Sequence, residues 1–141
     1  MAKNIYEVLD EFAAAGSKKE KLDVLARNWT PTLMHVLQLA YHPDVKWKIK
    51  DRPAKYKTPD TLPGVSYSSL GTEMRRFYLF KKGLPAAEKL TPRKREELFI
   101  SMLESLEPRE AEVVIGIFQK DLGVKGLTYK FVKECFPSLL P

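Results

Sequence analysis

The chain has 141 residues, enough for one domain whose core needs neither disulfides nor metal clusters. Hydrophobic residues make up 44% and charged residues 30%, which excludes wholesale disorder, and no apolar run approaches the roughly 20 residues of a membrane span. Lys and Arg outnumber Asp and Glu by 24 to 18, which favours a polyanionic partner, and the lone cysteine, Cys135, has no internal disulfide partner, as suits a reducing cytoplasm.

Ile5, Val8, Leu9 and Phe12 recur at helical spacing and predict a first helix over 4–15, stopped by Gly16. Ser17-Lys18-Lys19-Glu20 reads as a capping box, opening a second helix with Leu22, Leu25 and Ala26 inward. Thr30-Pro31 repeats the start signal for a third, which ends before Pro43.

From His42 to Gly64 the helical period vanishes and prolines recur, while Val45-Lys46-Trp47-Lys48-Ile49-Lys50 alternates apolar with basic residues, the pattern of a short extended ribbon. Ser68 or Ser69 caps a fourth helix running through Leu70, Met74, Phe77, Tyr78 and Phe80 to Gly83. Thr91-Pro92, Glu107-Pro108 and Thr128 open three more. The expected fold is therefore all-α, a single domain over 1–141 of about seven helices, with at most a minor ribbon near residues 45–50.

Phosphate loops, paired CxxC, HExxH and GxSxG are all missing from the sequence, so we expect a non-catalytic protein without cofactor or metal. His35, among apolar residues, reads as packed or half-exposed, and Cys135 as packed on the apolar face of the last helix. The glutamates between 96 and 112 read as a solvated acidic face, because acid–base work needs two carboxyl groups in unlike environments. Arg93-Lys94-Arg95 occupy a helix first turn, where the dipole disfavours cations, which calls for a compensating use, though tolerance at the surface is the commoner reason for such a pattern.

Residues 44–57 hold six Lys or Arg against two Asp, and Lys46, Lys48 and Lys50 alternate with apolar side chains as a track of phosphate contacts would; a merely wet amphipathic strand gives the same pattern. The segment Lys120 to Thr128 carries two glycines and leads into a helix start whose free amides suit a phosphate, or else it is an ordinary C-cap and tight turn.

The opening Val8-Leu9-Asp10-Glu11-Phe12-Ala13-Ala14-Ala15-Gly16-Ser17-Lys18-Lys19-Glu20-Lys21, the stretch Tyr41 to Lys50 and the ending Gln119 to Pro141 resemble the N-terminal DNA-binding domain of T-even phage ATP-dependent DNA ligases. The chain is also similar to small proteins of T-even-like phages, including those of marine cyanobacteria. The middle, 52–90, matches poorly, the sequence ends where a ligase continues into its nucleotidyltransferase domain, and no lysine stands in a K-x-D-G context. The turn at Gly126 is one residue longer than in the ligases.

The resemblance implies a helical domain that grips duplex DNA around a nick through phosphate contacts, with Ser17, Lys18 and the Lys120–Thr128 turn as contacts. With the basic segments, the expected nucleic-acid-binding residues are Ser17, Lys18, Lys19, Lys46, Lys48, Lys50, Lys120, Lys125, Gly126 and Thr128. The expected role is accessory, in phage DNA replication, repair or recombination in the host cytoplasm, on double-stranded DNA and alongside phage or host proteins. The rival is a repurposed domain that docks on a replication, ligase or host protein, for which Phe77-Tyr78-Leu79-Phe80 would serve if exposed.

Overall fold

Ile5, Val8, Leu9 and Phe12 all lie buried on one side of α1 (Ile5–Ala14) in the computed structural model, which describes residues 4–49, 53, 56 and 68–141. The chain turns at Gly16, and Ser17 caps α2 (Lys18–Arg27) by accepting from the Glu20 amide at 3.2 Å. Glu20 reaches back to the Gly16 amide at 3.0 Å, one residue earlier than in the usual capping box. Val24 and Leu25 are the buried residues of α2, whereas Leu22 is half-buried and Ala26 exposed, so the inward face is rotated from the predicted one.

Thr30 accepts from the Leu33 amide at 3.1 Å and opens α3 (Pro31–Tyr41), which buries Leu33, Val36, Leu37, Ala40 and Tyr41 and ends at His42. Val45 and Trp47 are then buried and Lys46 exposed, the alternation of an extended segment. One antiparallel bridge, Trp47 to Lys81, is all the ribbon there is among the described residues; Lys48 N donates to Phe80 O and Lys82 N to Lys46 O, both at 2.8 Å.

The predicted fourth helix differs from expectation at this bridge. It stops early as α4 (Leu70–Met74), capped by Ser69, and continues as a single 3-10 turn at Phe77–Leu79. Leu70, Phe77 and Phe80 are all buried, and residues 80–82 leave the helical path to pair with 46–48. Gly83, at φ 95, turns the chain into a short α5 (Pro85–Glu88) that the sequence did not announce.

Thr91 caps α6 (Pro92–Ser105), Glu107 caps α7 (Pro108–Phe118) by accepting from the Arg109 and Glu110 amides, and Thr128 caps α8 (Tyr129–Cys135). Helix α7 is buried from Ala111 through Phe118 apart from Glu112, the pattern of a helix enclosed on nearly all sides, and α1, α3, α4 and α6 pack against it. Trp47, Phe77, Phe80 and Phe99 crowd round Phe118 with ring centroids 4.6 to 5.4 Å away, in tilted and edge-on arrangements. Among the described residues no helix is long and apolar enough to cross a membrane.

Candidate nucleic-acid interface

The last turn of α3 leaves carbonyl groups without helical partners. Lys120 supplies them: its Nζ donates to Leu39 O at 3.0 Å and to His42 O at 2.6 Å. Lys120 itself follows Gln119, the C-cap of α7, at φ 61, with its amide bonded to Ile117 O at 3.1 Å and the Asp121 amide to Gly116 O at 3.0 Å. That is the Schellman closure, in which glycine is the common occupant. The lysine that stands there instead carries its side chain to α3, and burial there lowers its pKa to about 8. Lys120, one of the predicted phosphate contacts, thus has its ammonium directed into the molecule.

Tyr41, also in the last turn of α3, holds the same turn from inside. Its hydroxyl donates to Leu127 O at 3.1 Å, and burial pushes its pKa up to about 12. The segment from 120 to 127 is therefore pinned at both ends to α3, which positions Lys125 and Gly126 outward and exposed between the two anchors. Leu127 is buried, and Thr128 Oγ1 accepts from Phe131 N at 3.2 Å to start α8.

The start of α2 meets this turn. Gly126, at φ 84, faces Lys21, whose Cε would lie 3.3 Å from a Cβ placed on the glycine. Lys21 is held by Phe12 O at 2.8 Å and lies 4.8 Å from the centre of the Phe12 ring. Lys18 pairs with Glu134 of α8, which raises the lysine pKa and lowers that of the glutamate. Lys19 and Lys125 are exposed and, among the described residues, have no carboxylate partner.

The third group, Lys46 and Lys48, lies just beyond α3. Lys48 pairs with Glu88 at 2.6 Å, and Glu88 also accepts from the Gly83 amide at 3.0 Å; the Lys48 contact, first, and the Gly83 bond hold the Glu88 pKa down. Lys46 is exposed, and Lys50 lies outside the described residues. Gly126 of the turn thus lies against Lys21 of α2, Lys18 is tied to Glu134 of α8, and Lys46 and Lys48 stand beside Lys81 and Lys82 across the bridge, whereas Lys19 lies with Glu20, Leu22, Asp23 and Ala26 on the outer face of α2.

Lys21 and Lys82 were not among the predicted contacts. Lys21 looks like any lysine on a helix, and Lys82 looked like the tail of an uninterrupted one; only contacts across the chain reveal their places.

The other singled-out residues have quieter roles. Arg95 is buried and donates to Ala87 O at 3.2 Å and Leu90 O at 2.9 Å, closing the end of α5, which is the compensating use its position called for. Glu96, Glu97 and Glu112 are exposed, but Glu110 is buried in the first turn of α7, so the acidic face is not solvated throughout. Burial, then the neighbouring Glu107, raises the Glu110 pKa. His35 is exposed, and Cys135 is half-buried with its thiol pKa raised by burial. Among the described residues no group of His, Cys, Asp and Glu is placed to hold a metal ion.

Residues 8–124 match the model of a family of unknown function, DUF6433. The chain belongs to that family. The match takes in most of α1, all of α2 through α7 and the start of the turn, while Gly126 and α8 lie beyond it. No curated protein matches the chain.

Proposed function

We propose that this member of the DUF6433 family is a non-catalytic protein that binds duplex DNA through its phosphates without reading sequence, as an accessory factor in replication, repair or recombination. One observation carries the reading most. The Lys120–Thr128 turn is tied to the C-terminal end of α3 through Leu39, Tyr41 and His42, Gly126 of that turn lies against Lys21 of α2, and the basic Lys46–Lys48 segment follows the same end of α3 in sequence. Contacts of that kind supply affinity by releasing counterions and are indifferent to base sequence.

The rival, a protein-docking surface on Phe77-Tyr78-Leu79-Phe80, is weakened by burial. Phe77 and Phe80 are 3% and 0% exposed, and only Tyr78, at 51%, faces outward.

The test is fluorescence anisotropy with nicked duplex, intact duplex and single-stranded DNA across a salt series. Binding to duplex should weaken steeply with salt and be the same for unrelated sequences. The triple substitution Lys46/Lys48/Lys50→Ala should lower both affinity and salt slope while circular dichroism stays unchanged. Absence of duplex binding at low salt would refute the proposal and move preference to a protein partner.

A further inference from the structure

The bridge between Trp47 and Lys81 sets two further lysines against each other. Because Lys48 N bonds to Phe80 O and Lys82 N to Lys46 O, residues 46 and 82 stand directly opposite across the pair. The pleat turns the bridge pair one way, with Trp47 2% exposed against the core, and Lys46 and Lys82 the other way, where both are exposed. Like charges facing each other across paired strands destabilise the pairing. Among the described residues neither Lys46 nor Lys82 has a carboxylate partner.

The neighbouring cation shows what a satisfied lysine looks like here. Lys48 is tied to Glu88, which is itself fixed by the Gly83 amide, so its charge is already answered within the fold. The segment beneath is packed on the aromatic core, with Trp47 on Phe118 at 4.6 Å and on Phe77 at 5.9 Å. Two exposed lysines at directly opposed positions across the bridge suit a group that accepts from both at once.

We propose that Lys46 and Lys82 together hold one backbone phosphate of the duplex, and that Lys48, between them in sequence and charge, makes no phosphate contact. The inference rests on the duplex-binding reading above and adds to it a residue, Lys82, and a stoichiometry, one phosphate for two lysines.

The experiment measures the slope of log affinity against log salt for wild type, Lys46→Ala, Lys82→Ala, the double variant and Lys48→Ala on one intact duplex. A shared phosphate predicts that the double variant loses a slope of about 0.9, one contact, whereas two independent contacts would remove about 1.8. The Lys48→Ala slope should equal that of wild type. Both lysines are exposed, so the variants should fold, and Lys46→Gln and Lys82→Gln repeat the measurement with side chains of similar reach.

Wild-type binding with an unchanged slope in the double variant, a loss near two contacts, or a lowered Lys48→Ala slope would each overturn the shared site while leaving the duplex reading standing. No wild-type binding would overturn both. Inorganic phosphate titrated at constant ionic strength should not displace the duplex; displacement would assign the site to free phosphate instead and overturn its assignment to the DNA backbone.

Discussion

Lys120 places its ammonium 2.6 Å from the carbonyl oxygen of His42, so the residue that closes α7 also closes α3. Lys120→Ala removes two charge-assisted hydrogen bonds and leaves a non-glycine residue at φ 61, and should cost about 2–4 kcal/mol in urea unfolding. Lys120→Gly relieves the backbone and should recover about 1 kcal/mol of that.

The same residue imposes a pH dependence. In the folded protein Lys120 releases its proton near pH 8, while in the unfolded chain it keeps it to 10.5. Between those values the unfolded state binds more protons, so the residue's contribution to stability rises with pH through that window. Thermal melts of wild type and Lys120→Met from pH 7 to 10 should show wild type gaining relative to the variant as pH increases; parallel profiles would exclude this titration.

Glu110 titrates in the opposite sense. Burial raises its folded pKa above 4.5, so the folded state binds the extra proton and the stability this group confers is lost as pH rises through the folded value. Glu110→Gln, which cannot ionise and still accepts from a backbone amide, should be more stable than wild type at pH 7. The advantage should shrink towards pH 4, as followed by circular dichroism melts.

Gly116 lies in the last turn of α7, facing the chain that folds back after the helix. A Cβ there would stand 3.1 Å from both Asp121 O and Leu122 Cα, which are backbone atoms of the pinned turn and have little room to yield. Gly116→Ala should therefore destabilise the protein by about 1–3 kcal/mol despite the better helix propensity of alanine, measured by urea unfolding.

Trp47 is buried, and among the described residues its indole N–H has no partner. Trp47→Phe keeps most of the packing on Phe118 and removes that unsatisfied donor, so its cost should stay below about 1.5 kcal/mol, whereas Trp47→Ala should cost about 3–5 kcal/mol. Near-equal melting temperatures for the two variants would show that the ring does not carry this corner of the core.

The helical starts were legible in the sequence because capping is local. Ser17, Thr30, Ser69, Thr91 and Thr128 each bond an amide three residues on, and no distant contact is needed to specify that. The all-α class followed from those caps and from apolar spacing, and the alternation around Trp47 already marked a break in them.

What the sequence did not show depends on residues brought together from afar. Leu70, Met74, Phe77 and Phe80 carry a helical period, yet α4 ends at Met74 and residues 80–82 pair with 46–48 instead, through hydrogen bonds to a distant segment that local propensity does not specify. The same holds for the candidate site. The richness of residues 44–57 in lysine and arginine is plain in the sequence, but which ammonium groups are already answered is decided by folding: Lys18 by Glu134, Lys48 by Glu88, Lys120 by the carbonyls of α3. Charge is a property of composition, whereas its availability to a partner depends on what the fold places within a few ångströms of it.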